Sequence, residues 1–296
     1  MIEQKISFYS EGYKLEGSLY TPEDIKAGEK RPAIIPNSGY QGFNEFYPKM
    51  FAKQLTNAGY VCLGFDYRGF ANSEGESGHV ILKEQVEDIN NAIIYLQQQE
   101  CVDAKNIGLI GWGMGASNVI DVAAHNKEVS AVAALNGFYN GSRWLKTIHS
   151  YQKWIEILET VQKDNINKVL SGESESADTF LHYPLDPDTE DYVNKELASV
   201  EGYGTQTKLE FTNSLIDLDV EKYVKDIAPR PVFIGHGKGN LLHPYQEAQF
   251  LYESALEPKT LYAIDGKHND FMYSDNKTFQ LLMNELLTFF EKHLAK

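Results

Sequence analysis

Residues 111–117 read GWGMGAS, and the apolar run NIGLIGWG (106–113) leads into them. The run is short and bounded by polar residues, as a buried strand is. The stretch that follows, GASNVIDVAAHN (115–126), has apolar residues at helical spacing. The unit is therefore strand, tight glycine turn, helix. The same alternation repeats on either side. Strand-like runs occur at PAIIPNSG, YVCLGFDYRG, VSAVAALNGF, RPVFIGHG and KTLYAIDG, and helix-like stretches at FYPKMFAKQLTNAG and LKEQVEDINNAIIYLQQQ. Strands alternating with helices at this spacing predict an α/β fold, with a mostly parallel sheet covered on both faces. The N-terminal KISFYSEGYKLEGSLYTP alternates around Glu11-Gly12 and predicts an antiparallel hairpin. FQLLMNELLTFFEKHL predicts the closing helix.

The alternation breaks at about residues 141–214. WLKTIHSYQKWIEILETVQKDNINKVL predicts one or two amphipathic helices, and DPDTEDYVNKEL predicts a short helix behind acidic residues. The division is a core of 1–140 and 215–296 with a helical cap insertion of 141–214. The cap is expected over the carboxyl edge of the sheet, where open α/β sheets bind ligands.

The 296 residues carry a net charge of −15, which argues against nucleic acid or an anionic membrane as partner. No stretch approaches ~18 continuous apolar residues, and the N-terminus lacks an apolar signal core. A cytoplasmic protein is expected, with a homodimer left open. The two cysteines, Cys62 and Cys101, have neither metal nor redox spacing. No Walker, dinucleotide or zinc motif is present, so no cofactor and no metal are expected.

Four stretches together resemble the α/β-hydrolase superfamily, in the flavour of dienelactone hydrolases and Xaa-Pro-peptidase-like esterases. PNSGYQG (36–42) lies where such proteins supply an oxyanion-hole amide. FDYRGFANSEGE (65–76) resembles their D-x-R-G-x-G-x-S segment. GWGMG (111–115) occupies the nucleophile elbow. HGKGN (236–240) and GKH (266–268) follow the last two strands, where the acid and histidine belong. The resemblance implies the order Gly113, Asn240, His268 in place of Ser, Asp/Glu, His. It also implies an oxyanion hole from the amides of Tyr40 and Met114.

Gly113 has no side chain, and Asn240 is an amide where a carboxylate belongs. Glycine there can serve the strained turn alone, or leave room for one water beside the oxyanion amides. Asn240 can cap a turn, or its side-chain oxygen can accept from His268 Nδ1–H. His268, on a loop that no helix or strand face explains, is then the general base. Asp270 and Glu45 are candidate helping carboxylates, with surface positions the plain alternative. His243 is either a loop residue or a pocket residue. His149 is either packed in the cap or turned toward substrate. Trp112 flanks the elbow. Ser38 is a hydroxyl near the site, and Ser117 lies one turn further on. Asp66 and Arg68 are expected to steady a turn as a buried charge pair. Aromatic residues of the cap (Phe138, Tyr139, Trp144, Tyr151, Trp154) suggest stacking surfaces in the pocket.

The function expected is an enzyme without a serine nucleophile, acting on a small carbonyl compound. It would use activated water on an ester, amide or activated C–C bond, or carry out an elimination. Two alternatives stand beside it: a ligand-binding pseudoenzyme, and a serine esterase carrying a Ser-to-Gly change.

Overall fold

The computed structural model describes residues 1–200, 203–204, 206–270 and 273–294. The chain opens with the hairpin β1 (Ile2–Ser10) and β2 (Tyr13–Thr21). Glu11 and Gly12 take the positive φ values, 47° and 90°, that a two-residue hairpin turn needs. There follow β3 (Arg31–Asn37), α1 (Tyr47–Asn57), β4 (Val61–Phe65), α2 (Leu82–Gln97), β5 (Val102–Trp112), α3 (Met114–His125) and β6 (Val129–Leu135). An inserted segment then carries α4 (Gly141–Ile148), α5 (Tyr151–Ser171), β7 (Ser176–Asp178), α6 (Pro187–Tyr192), β8 (Gln206–Lys208) and α7 (Glu210–Asp217). The chain closes with β9 (Val232–Gly237), α8 (Tyr245–Ser254), β10 (Lys259–Ile264) and α9 (Lys277–His293).

Eight strands form one sheet in the order β1-β2-β4-β3-β5-β6-β9-β10. β2 is antiparallel to β1 and β4, and every later pairing is parallel. The expected mostly parallel sheet is thus the one found. Every residue of β4 is buried, as a strand covered on both faces requires. One face packs against α2, α3 and α8, through residues such as Ile89, Val119 and Leu251. The other packs against α1 and α9, through Phe51, Leu55, Phe279 and Leu286.

The amphipathic run after residue 143 divides into two helices. Ser150 adopts extended backbone, and its side chain accepts from Lys153 N to cap α5. Parts of the expected ranges 141–214 and 215–296 (residues 201, 202, 205, 271, 272, 295 and 296) lie outside the described residues.

Asp66 and Arg68 do not pair with each other, contrary to expectation. The Arg68 guanidinium reaches Asp88 at 2.7 and 3.0 Å, and the Arg68 amide donates to the same carboxylate. Asp66 accepts from Asn44 N at 2.6 Å, and burial pushes its carboxyl up to about 6. The two side chains leave their turn in different directions, so each needs its own partner.

Candidate active site

The turn at Gly113 joins β5 directly to α3. Its backbone has φ 56° and ψ −122°. The Gly113 amide donates to Leu135 O at 2.9 Å, and its carbonyl accepts from Ala116 N at 3.1 Å. The neighbouring glycines are required for a different reason. A Cβ on Gly111 would lie 2.2 Å from the Gly115 carbonyl oxygen, and one on Gly115 would lie 2.0 Å from the Ser38 carbonyl oxygen. A Cβ on Gly113 would meet nothing nearer than 3.9 Å, and what it meets are the rings of His243 and His268. Packing demands the outer glycines. Only the dihedral favours the middle one.

His268 and Asn240 come together, but with reversed polarity. Asn240 Oδ1 lies 2.9 Å from the His243 amide, which can only donate. That contact fixes the orientation of the amide group. Its nitrogen therefore faces His268 Nδ1, at 3.0 Å. The expectation that Asn240 oxygen accepts from Nδ1–H is corrected: Nδ1 accepts, and the His268 proton sits on Nε2. Nε2 is the ring atom 3.9 Å from the Cβ position of Gly113. His268 consequently meets the elbow as a hydrogen-bond donor. In this arrangement the lone pair of the neutral ring points at Asn240 and not at the elbow, which does not suit the general-base role expected of it.

Two further histidines surround it. His236 Nε2 lies 2.8 Å from the His243 carbonyl and donates to it. His243 Nδ1 donates to Asn136 O at 2.6 Å, and the His243 and His268 rings stand perpendicular with centroids 4.9 Å apart. Burial holds all three rings neutral. It pushes His236 down to about 4 and His243 down to about 3. It lowers His268 well below its ordinary value, with the neighbouring histidines adding to the effect. Among the described residues, no group of three or more His, Cys, Asp or Glu side chains converges to hold a metal.

These histidines predict a pH dependence of stability. Their folded pKa values lie below the unfolded value of about 6.5, so the unfolded chain binds the extra protons. Stability is fully present above about pH 6.5 and falls as pH drops below it, by about 1.4 kcal/mol per pH unit for each histidine. Asp66, Asp88, Glu221 and His79, all raised, oppose this, while His182, lowered to about 4, adds to it. Urea midpoints measured between pH 7 and 5 should fall steeply. A flat series would mean that the rings are charged in the fold.

A cavity of about 70 Å³ lies over the turn. Gly39, Tyr40, Trp112, Gly113, Met114 and His268 form one wall, with Tyr183, Leu185, Tyr192 and Leu197 of the inserted segment opposite. The Met114 amide is the first of α3 and has no carbonyl four residues back. The Cβ position of Gly39 is 3.7 Å from that amide nitrogen, so the Gly39–Tyr40 chain runs beside it. The Tyr40 side chain turns away to bond Thr207 Oγ1 and pack on Phe211. Trp112 is buried, stacked on Tyr47 and edge-on to His268 at 5.7 Å.

Other candidates lie elsewhere. Ser38 Oγ donates to Phe43 O at 2.6 Å, and Ser117 Oγ donates to Phe138 O, so both hydroxyls are consumed in buried backbone bonds. Glu45 is a surface residue paired with Lys49 at 2.8 Å. Asp270 turns back to accept from Lys267 N at 2.7 Å instead of supporting His268. His149 bonds the His182 carbonyl at 3.1 Å within the inserted segment. Of the aromatic residues expected in the pocket, Phe138 and Trp144 stack on each other at 4.2 Å, Tyr139 and Trp154 are buried, and Tyr151 is 81% exposed. None of these five lines the cavity; Phe180, Tyr183 and Tyr192 do. No motif marks those residues: Phe180 and Tyr183 lie in irregular chain, and Tyr192 ends the short helix α6. Asn136 was also silent in sequence. It is buried at φ 51°, donates to the His268 carbonyl at 3.0 Å and accepts from Gly237 N at 2.8 Å.

Comparison with known proteins follows from this geometry. The family model Hydrolase_4, described as serine aminopeptidase, S33, matches residues 28–272. An uncharacterized Escherichia coli protein from the traX-finO intergenic region is 37% identical over 126 residues; the match spans 43% of this chain and 44% of that protein. The uncharacterized protein PA2218 of Pseudomonas aeruginosa is 25% identical over 98% of this chain and 81% of its own length. The polyketide transferase grgF of Penicillium sp is 23% identical over 96% of this chain and 94% of its own. The crystal structure of that α/β hydrolase, GrgF, superposes with a TM-score of 0.84 over 100% of both chains at 20% identity.

Proposed function

Because the chain belongs to the α/β-hydrolase family described as serine aminopeptidase, S33, we propose that it is an enzyme of that superfamily that processes a small carbonyl compound without an acyl-enzyme. The observation that carries this reading is an elbow with no side chain, its Cβ position 3.9 Å from His268 Nε2, beside the Met114 amide and the Gly39–Tyr40 chain. We read the Met114 and Tyr40 amides and the His268 Nε2–H as donors to one oxygen there. Donors fixed in a buried site stabilise charge that develops on a carbonyl oxygen. The cavity walls are largely apolar and aromatic, with no charged side chain among them, which suits an uncharged ester or thioester. Relatives carry names of that chemistry: the polyketide transferase grgF, the acyltransferase drtE of Aspergillus calidoustus and the thiohydrolase aneE of Aspergillus aculeatus. Among the described residues no helix is long and apolar enough to cross a membrane.

A second reading is favoured by the polarity of Asn240. A pocket in which His268 offers the elbow only an N–H can hold a carbonyl ligand without turning it over. Turnover of p-nitrophenyl acetate, butyrate and phenylacetate separates the two. The enzyme hydrolyses at least one of them, is not labelled by a fluorophosphonate, and loses ~10²–10³ in kcat on His268→Ala, the usual cost of one oxyanion donor. Stoichiometric fluorophosphonate labelling would show a hidden nucleophile. Binding of the esters without turnover would leave the second reading.

A further inference from the structure

We propose that Tyr183, carried by the inserted segment, and His243 form a proton-accepting dyad at the elbow, doing there what Asn240 prevents His268 from doing. The inference rests on the carbonyl chemistry proposed above.

The direction of each bond follows from groups that have only one role. The Asn136 carbonyl can only accept, so His243 Nδ1, 2.6 Å away, carries the ring proton. His243 Nε2 is then a bare lone pair. Tyr183 Oη lies 2.6 Å from it and must donate. The phenol is therefore a hydroxyl whose proton already points at a base and whose own lone pairs remain free to accept another proton. Tyr183 also lines the cavity over Gly113. His243 Cε1 is 3.9 Å from the Cβ position of Gly113, the same distance as His268 Nε2. Two neutral histidines of opposite polarity thus flank one point: His268 offers N–H, and the Tyr183–His243 pair accepts.

The pair is rigidly held. The Tyr183 ring packs on Trp144 at 4.6 Å and on Phe138 at 6.2 Å, and Phe138 lies 4.8 Å from the His243 ring. Trp144 Nε1 donates to Leu242 O at 2.9 Å, beside His243 in the chain. Asn136 fixes both histidines, accepting from His243 through its carbonyl and holding the His268 backbone through its side chain. Tyr183 is at once the partner of His243 and one of the residues that line the cavity over Gly113.

The step balances without any other reactant. Water oxygen forms a bond to the carbonyl carbon while its proton passes to Tyr183 Oη and the Tyr183 proton passes to His243 Nε2. The carbonyl π pair moves onto oxygen, beneath the Met114, Tyr40 and His268 donors. That pair then re-forms the C=O bond and expels the leaving group, which takes the proton back from His243 through Tyr183. Burial disfavours a charged His243, but the oxyanion formed in the same enclosure is its counter-charge.

The test uses the full chain and p-nitrophenyl acetate, butyrate and phenylacetate. Tyr183→Phe removes one oxygen and keeps the ring. It should lower kcat by ~10² or more, with KM nearly unchanged, and abolish the normal solvent deuterium isotope effect that the wild-type protein shows on kcat. If Tyr183→Phe fails to fold, the wild-type isotope effect decides: a value of one means that no proton is in flight, and it overturns the dyad. Tyr183→Phe with wild-type kcat, alongside a crippled His268→Ala, overturns the dyad and leaves the carbonyl reading standing. A wild-type protein that turns over none of the esters overturns both.

Discussion

The double variant Gly113→Ser, Asn240→Asp should hydrolyse p-nitrophenyl butyrate at least ~10³ times faster than either single variant, and it should become labelled by a fluorophosphonate. The argument is one of polarity. A carboxylate in place of the Asn240 amide keeps one oxygen on the His243 amide and puts the other where the nitrogen now faces His268 Nδ1 at 3.0 Å. Nδ1 must then carry the proton, and the lone pair moves to Nε2. A serine Oγ at position 113 extends from a Cβ site 3.9 Å from that atom, and nothing else crowds it. Serine alone meets an N–H and finds no base. Aspartate alone makes a base with no nucleophile beside it. An amide in place of the triad carboxylate costs a serine protease about 10⁴ in kcat, which sets the scale for the gain. The left-handed backbone at Gly113 costs the serine about 1–2 kcal/mol of stability. If Gly113→Ser alone reaches the rate of the double variant, the hydrogen-bond direction assigned to Asn240 is wrong. If neither hydrolyses the ester and the double variant folds, the turn does not present residue 113 to substrate.

Gly115→Ala should cost more stability than any other single methyl group added to this turn, about 3 kcal/mol or more, against about 1–2 kcal/mol for Gly113→Ala. The methyl at 115 would sit 2.0 Å from the Ser38 carbonyl oxygen, and at 111 it would sit 2.2 Å from the carbonyl oxygen of Gly115. Both obstacles are backbone: Ser38 directly follows β3, whose last residue Asn37 pairs with Gly111 of β5, and Gly115 lies in the first turn of α3. At 113 there is space, and only the dihedral resists. Urea midpoints and soluble yields of the three alanine variants check the order. Equal costs at 113 and 115 would mean that the strand-to-helix turn yields easily, and that the outer glycines are not there for close packing.

The fold was legible because its signals are local. Each buried strand is a short apolar run, and each helix repeats every three to four residues. The turn between β5 and α3 carries glycines that two backbone approaches require. The chain order of Gly113, Asn240 and His268 likewise follows from which strand end each residue sits on. The opposite walls of the cavity were not legible. Tyr183 and Leu185 occur in irregular chain and Tyr192 ends the short helix α6, where no periodicity separates a residue facing the site from one facing solvent. Of the five aromatic residues that looked suited to a pocket, four are buried elsewhere and Tyr151 is exposed, because tertiary contact decides which way each faces.

The sequence by itself therefore determined the sheet, its covering helices and the absence of a side chain at the elbow. Only the tertiary structure decided what the remaining residues do there. A hydrogen bond has a direction, and that direction is set by the partner's partner. The His243 amide orients Asn240, Asn240 orients the His268 proton, and the Asn136 carbonyl orients His243 toward Tyr183. Asn136 and Tyr183 lie 107 and 60 positions before His243, and His268 lies 28 beyond Asn240, and no spacing in the sequence encodes which of them donates.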